Sequence, residues 1–271
     1  GLEFQEFMLV PHGFSTFAEA LRAGAEVFHT LKKWLSDRSL VTAVGDEGGF
    51  APKLESNEKA LEAVAAAVEA AGYRLGEQIA LALDVASSSF YDEKESVYRV
   101  RLDGKDRADA GTLIDFYAAM SRKFPIVSIE DGLAENDWSG WAALTEKLGS
   151  RLQLVGDDLF VTQARYVQKG IEEKSANAVL VKINQAGSLK ETFETLSLCR
   201  KASWNAIVSH RSGESEDVSI AHVAVGSGCG QIKTGSLSRS ERTAKYNELL
   251  RIEERAVRAK QPIPFATPFR K

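Results

Sequence analysis

The chain has 271 residues, of which 44% are hydrophobic and 27% are charged, an ordinary balance for a globular protein. A net charge of -4 and a pI near 5.7 argue against a general binder of nucleic acids or membrane surfaces, and no apolar stretch is long enough to cross a bilayer. The two cysteines, Cys199 and Cys229, do not form a CxxC pair, which favours a reduced cytosolic compartment, although one disulfide between them stays open.

The first fifty residues predict a strand at residues 3–10 and a long helix at residues 15–37. A strand-like segment follows at residues 41–49 and ends in a glycine-rich acidic turn.

Six short apolar runs then follow, and each of them ends in a polar residue. Near-continuous apolar character, without alternation, is typical of strands that are covered on both faces. The runs are residues 79–84, 126–130, 152–157, 178–182, 206–210 and 230–233.

Helix-like stretches separate these runs, at residues 110–123, 138–148, 162–174, 188–202 and 214–225. Ser188 with Glu191 fits a capping box that opens one helix, and Ser238 with Glu241 fits another that opens the last helix. The tail, residues 261–271, carries three prolines and is predicted to be irregular.

The alternation of strand and helix repeats roughly every 25 residues, the size of the units that build a parallel barrel or a doubly wound sheet. No GxGxxG motif follows a strand, which disfavours a dinucleotide-binding sheet. We therefore predict a TIM-like (β/α)8 barrel.

All six of these apolar runs end in a charged or imidazole side chain. In such a barrel the catalytic groups lie at the carboxyl ends of the strands, so these side chains are expected to meet at one mouth. They are Asp84, Glu130, Asp157, Lys182, His210 and Lys233.

Three carboxylates at one place repel one another unless a cation lies among them, and an all-oxygen set suits Mg²⁺. Any one of Asp84, Glu130 and Asp157 alone could equally be a helix cap or a surface ion-pair partner. Three on successive strands favour a metal site. Neither spacing nor chemistry distinguishes Asp158 from Asp157.

The cationic residues suggest an anionic substrate. Arg211 offers a planar fork for phosphate oxygens, Ser212 adds a hydroxyl, and Lys233 could hold a carboxylate. The alternative is a set of surface ion pairs.

Lys182 ends an apolar strand, where a low dielectric and a nearby metal can make its amine a base. A Schiff-base lysine is the rival interpretation, which the carboxylate set disfavours. Glu47, on a glycine-flanked turn, is a candidate acid, although an Asp-Glu pair in that setting is weak evidence alone.

Eight stretches, in family order, resemble the enolases, and most closely the bacterial ones. They are residues 5–8 (QEFM), 44–49 (VGDEGG), 83–85 (LDV), 128–132 (SIEDG), 155–159 (VGDDL), 182–185 (KINQ), 209–214 (SHRSGE) and 230–236 (GQIKTGS).

The resemblance implies a Mg²⁺-dependent lyase of glycolysis that interconverts 2-phosphoglycerate and phosphoenolpyruvate. It makes Lys182 the base at C2 and Glu47 the acid at the C3 hydroxyl. The remaining implied roles are first-magnesium ligands (Asp84, Glu130, Asp157), phosphate binding (Arg211, Ser212), substrate binding (Lys233) and lining of the substrate site (Gln5, Glu6, His210).

The same resemblance implies that residues 1–271 form the catalytic barrel domain. By comparison with enolases, the N-terminal α+β domain and the first barrel strand are expected to be lacking here. It further implies a cytoplasmic homodimer when full length. Family members also occur on cell surfaces, as secreted proteins and in RNA-degrading assemblies; direct nucleic-acid binding is not expected.

Two alternative functions compete with this assignment. A sugar-acid dehydratase or racemase of the same superfamily would place a Lys-x-Lys at a strand end, and none is present at a suitable one. A truncated, catalytically weak enolase that acts only as a surface or complex-binding protein is the alternative from another class.

Overall fold

The computed structural model describes residues 2–102 and 104–269 and has the alternating α/β organisation that the sequence predicts. The strands are β1 (Glu6–Pro11), β2 (Ile79–Asp84), β3 (Tyr91–Asp92), β4 (Val97–Tyr98), β5 (Ile126–Glu130), β6 (Gln153–Gly156), β7 (Ala178–Val181), β8 (Asn205–Ser209) and β9 (Ile232–Lys233). The α-helices are α1 (Phe17–Ser36), α2 (Asn57–Ala70), α3 (Ala110–Lys123), α4 (Trp138–Leu148), α5 (Ala164–Glu173), α6 (Ile183–Ala186), α7 (Leu189–Lys201), α8 (Ser219–Ser227) and α9 (Ser240–Arg258).

The chain forms two compact units. Unit 1 comprises Gly1–Met8, Leu54–Leu61 and Leu81–Ala206, and unit 2 comprises Leu9–Lys53, Glu62–Ala80 and Ile207–Lys271.

In unit 1 the strands β2, β5, β6 and β7 pair in parallel in that order, and β3 and β4 form a separate antiparallel pair. β2, β6 and β7 are buried at every position, as the unbroken apolar runs of the sequence require. Parallel strands place their carboxyl ends at the same edge, so the residues that end these strands are brought together.

Three helices of unit 1, α3, α4 and α7, begin at residues whose side chains cap them. Asp109 accepts the amide hydrogen of Thr112 at the start of α3, and Asp137 accepts that of Gly140 at the start of α4. Ser188 accepts the amide hydrogen of Glu191, which confirms the predicted start of α7. Helices α3 and α4 have the bounds that the sequence predicted.

Unit 2 has an apolar core between α1, the end of α2 and the start of β2. Its fully buried members are Ala23, Val27, Ala67, Val68 and Ile79. In the same unit β8 and β9 pair in parallel, with Ser209 opposite Lys233. That register places the residues that follow β8 beside the end of β9.

Three sequence predictions need correction, and one long helix was missed. Residues 41–49 are not a strand, since among them only Val44 forms a single bridge, to Phe50. Ser238 does not cap α9, because its hydroxyl donates to the carbonyl of Gly48 at 2.7 Å. Helix α8 begins at Ser219, five residues later than predicted. Helix α2 was not predicted.

The described residues bear on three further expectations. Both cysteines are free thiols. No helix in the described ranges has the length and apolarity needed to cross a membrane. The tail, as far as residue 269, contains neither helix nor strand, as predicted.

Candidate active site

Unit 1 gathers acidic side chains where its strands end. Asp84 ends β2 and Glu130 ends β5, and their Cα atoms are opposite one another in the sheet register. Asp157 follows β6 directly, and all three predicted ligands are buried. With the neighbours Asp131 and Asp158, these residues are called the acidic group below.

Asp131 organises the end of β6. Its backbone is left-handed, with φ of 43°, and its carboxylate accepts the amide hydrogens of Asp157 at 2.9 Å and Asp158 at 3.0 Å. Burial raises the pKa of the Asp131 carboxyl well above its usual range, and the charges of Asp157 and Asp84 raise it further. The acidic group is therefore an environment in which negative charge is costly.

The donor set fits a hard divalent cation. The ligand atoms of Asp131, Asp157 and Asp158 all lie within 4.8 Å of one another. Asp131 and Asp157 are buried and Asp158 is exposed, and carboxylate oxygens are ligands that Mg²⁺ prefers. This set shares Asp157 with the predicted ligands, and the assignment of Asp84 and Glu130 as ligands stays a prediction.

Lys182 lies directly after β7 and places its ammonium against Oδ2 of Asp157. The two side chains are only 16% and 10% exposed, so water screens their interaction weakly. Gln185 Nε2 lies 3.4 Å from the other Asp157 oxygen. The structure thus brings the predicted base together with one predicted metal ligand.

A strained turn fixes the backbone at Lys182. Val161 and Thr162 have φ of 41° and 55°, a conformation that costs a β-branched residue about 1–3 kcal/mol. The Thr162 hydroxyl accepts the Lys182 amide hydrogen at 2.9 Å and donates to Gln185 Oε1 at 2.8 Å. The turn therefore ties the start of the Lys182 segment to the segment after β6.

Unit 2 holds a second set of polar residues, called the histidine group: Glu47, His210, Ser212, Lys233 and Arg242. His210 follows β8, is 3% exposed, and donates its backbone amide hydrogen to the Lys233 carbonyl at 3.0 Å. The β8–β9 register therefore places the backbone of His210 beside that of the lysine that ends β9.

Glu47 lies between a hydroxyl and an imidazole. Its Oε1 accepts a hydrogen bond from the Ser212 hydroxyl at 2.7 Å, and its Oε2 lies 3.3 Å from His210 Nε2. The turn that carries it requires Gly48, which has φ of 81° and whose Cβ, if present, would lie 2.6 Å from the Ser238 carbonyl oxygen. The turn thus holds Glu47 against the segment after β8.

The surroundings of His210 disfavour the charged imidazole. Burial lowers its pKa, Glu47 partly offsets this, and the positive charges of Arg242 and Lys233 lower it further. A neutral imidazole has one donor and one acceptor nitrogen, so its tautomer depends on its neighbours.

Arg242, on α9, is 1% exposed and donates to four acceptors. Nη1 lies 2.6 Å from both His210 Nδ1 and the Arg211 carbonyl. Nη2 lies 3.0 Å from the Asp46 carbonyl and 2.6 Å from the Ser212 carbonyl. One guanidinium therefore holds the turn of Glu47 and the segment after β8.

The remaining predicted site residues are accessible to a ligand. Arg211 and Ser212 are exposed and Lys233 is half-buried in unit 2, where their cationic and hydroxyl groups can bind an anion. Gln5 is exposed and Glu6 is half-buried at the start of β1.

Two residues of these groups were not predicted from the sequence. Asp131 lies beside Glu130, but its role depends on a left-handed backbone that an Asp-Gly pair only hints at. Arg242 looks like any surface cation of a charged helix. Its spacing from buried Lys245 and Leu249 on α9 was the only available hint.

A comparison with known families agrees with this architecture. Residues 1–261 match the family model described as the enolase C-terminal TIM barrel domain. The match confirms the predicted barrel fold.

Proposed function

The chain belongs to the family of enolase C-terminal TIM barrel domains, and we propose from that premise that it is an enolase acting on 2-phosphoglycerate. The family itself supports a lyase-type enzyme of the enolase superfamily. The observation that carries the finer proposal is the Lys182 ammonium seated against Asp157 within the acidic group. Proton abstraction beside a carboxylate needs a base and concentrated positive charge at one place.

In the proposed reaction Lys182, as the neutral amine, takes the proton from C2. The C2–H electron pair becomes the C2=C3 bond, the C3–O bond breaks, and the departing hydroxide takes a proton from Glu47 to give water. The products are phosphoenolpyruvate and water.

Mg²⁺ bound by carboxylates of the acidic group would supply positive charge beside the substrate carboxylate. The proposed ligands of this ion are Asp84, Glu130 and Asp157. Arg211 and Ser212 are proposed to bind the phosphate and Lys233 to bind the substrate, with Gln5, Glu6 and His210 lining the site.

The biological setting is proposed from the family resemblance. We place the activity in cytoplasmic glycolysis, in a homodimer when the protein is full length. Surface or secreted forms and an RNA-degrading assembly are further settings that the resemblance suggests.

The two proton transfers can be tested separately. The chain is incubated with Mg²⁺ and 2-phosphoglycerate in D₂O, and deuterium at C2 and phosphoenolpyruvate are both measured by NMR. Lys182→Met is expected to lose both C2 exchange and product. Glu47→Gln is expected to keep C2 exchange and to lower product formation by about 10²–10⁴-fold, the usual contribution of one acid–base group.

Lys190→Met is the matched control, because this lysine on α7 is 85% exposed. It is expected to leave both signals unchanged. C2 exchange that persists in Lys182→Met would refute the proposed base. Turnover of a sugar acid in place of 2-phosphoglycerate would refute the proposed substrate and retain the superfamily.

A further inference from the structure

The buried guanidinium of Arg242 lies in a space built around it. Its Cδ and Cγ pass over Gly235, whose φ is 83° and where a Cβ would lie 2.7 Å and 3.0 Å from these carbons. Any side chain at position 235 would displace the arginine stem. Tight enclosure of a charged group indicates that its contacts are specific.

The contact with His210 determines the state of the imidazole. A guanidinium has donors and no acceptor, so the nitrogen it faces at 2.6 Å must be an acceptor. Nδ1 of His210 therefore carries no proton, and the proton of the neutral ring is on Nε2. That nitrogen is the one that lies 3.3 Å from Glu47 Oε2.

Protonation of His210 would have to occur at Nδ1, where it would place one N–H against another. The groups that act on this imidazole are Glu47 from its turn, Lys233 from β9 and Arg242 from α9. Only Glu47 favours the charged ring, and two cations oppose it.

We propose that Arg242 is a positioning residue that keeps His210 neutral, with Nδ1 accepting and the proton on Nε2, the ring nitrogen nearer to Glu47. The catalytic role of the neutral imidazole rests on the proposed function, in which Glu47 is the acid. An imidazolium beside Glu47 would hold it as a carboxylate, whereas a neutral ring leaves it able to carry the proton that the leaving hydroxide takes.

A matched residue separates this role from simple support of the loop. Lys245 is on the same helix, is also 1% exposed, and contacts the carbonyls of Ser215 and Glu241. It holds the same segment after β8. Lys245→Met therefore removes loop support and leaves the Arg242–His210 contact in place.

The test is an NMR titration of the histidine rings in the ¹⁵N-labelled 271-residue chain. The chain has four histidines, and the signal of His210 is identified by its absence in His210→Gln. Arg242→Met is expected to raise the proton affinity of His210 by about tenfold or more, one pKa unit, because a like charge and a blocking donor are both removed. Lys245→Met is expected to change it by less than about twofold.

Arg242→Lys covers the case in which Arg242→Met does not fold. Its ammonium keeps a charge and a donor for Nδ1, so the affinity is expected to stay within about threefold of the parent chain. An unchanged affinity in a folded Arg242→Met, a tenfold rise in Arg242→Lys, or equal shifts in Arg242→Met and Lys245→Met would each overturn the proposal.

The titration does not depend on turnover. A chain that fails to convert 2-phosphoglycerate but shows the expected shift would refute the proposed function and retain the role of Arg242 toward His210.

Discussion

Removal of the Lys182 charge should destabilise the metal-free protein and make it depend on Mg²⁺. In Lys182→Met the Asp157 carboxylate loses the ammonium that contacts it. Asp157 then keeps Asp131 and Asp158 as close acidic neighbours. The variant thus leaves Asp157 buried among acidic neighbours without the cation that offsets its charge.

The magnitude follows from burial. Breaking a fully buried ion pair by removing one partner costs about 3–5 kcal/mol, whereas an exposed pair contributes about 0–1 kcal/mol. The side chains of Lys182 and Asp157 are 16% and 10% exposed, close to the buried limit. Methionine recovers part of the loss through its apolar contacts, so we expect a decrease of about 2–3 kcal/mol in the free energy of unfolding.

The assay is urea unfolding followed by circular dichroism, with EDTA and then with Mg²⁺. A ligand at a hundred times its dissociation constant stabilises the folded state by about 2.7 kcal/mol. Mg²⁺ should therefore restore most of the loss, and it should stabilise Lys182→Met more than the parent chain. Lys182→Arg is the control, because it keeps a cation and should lose less than about 1 kcal/mol. Equal stabilities of Lys182→Met and the parent chain in EDTA would refute the reasoning.

Two further predictions concern His210 and a close helix contact. Burial lowers the pKa of His210, so the unfolded chain binds a proton on this residue more readily than the folded chain does. The stabilising contribution of His210 is therefore present above about pH 6.5 and is lost as the pH falls below that value. The stability of His210→Gln should fall less than that of the parent chain between about pH 7 and 5, with exposed His29→Gln keeping the parent slope. Gly170→Ala, on α5, should lower the free energy of unfolding by about 1–3 kcal/mol, because the new Cβ would lie 2.5 Å from Phe160 Cε1. Gly226→Ala, on α8, has open space around the new Cβ and should raise the free energy of unfolding by about 0.5–1 kcal/mol. Equal effects of the two substitutions in thermal unfolding would contradict the packing argument.

The strands and several helices could be predicted because their local sequences are unambiguous. The runs at Ile79–Asp84 and Ile126–Glu130 are apolar along their length and end in a charge, and both are observed with those bounds. Helix α2 (Asn57–Ala70) is rich in alanine and has buried residues on several sides, so it shows no clear apolar stripe. The segment at residues 41–49 has β-branched residues but no partner strand to pair with, apart from the bridge at Val44.

The candidate site was predictable only in part. The rule that catalytic groups follow barrel strands correctly placed Asp84, Glu130 and Asp157 at neighbouring strand ends of unit 1. The same rule could not predict that the Asp131 carboxylate would accept two backbone hydrogen bonds. It also could not predict that Arg242 would donate to carbonyls about thirty residues or more away along the chain, since only the fold brings these groups together. Such contacts depend on backbone conformation and long-range packing, which leave no local pattern.

The two units each concentrate charged side chains of opposite sign at their strand ends. In unit 1 the acidic group holds carboxylates whose crowding only a cation relieves. In unit 2 the buried guanidinium of Arg242 contacts His210 and, with the charge of Lys233, disfavours a charged imidazole. Each set places charge where burial makes it costly, as the raised pKa of Asp131 and the lowered pKa of His210 indicate. Apolar side chains of similar volume would fill such positions at lower cost, so folding alone does not account for either set.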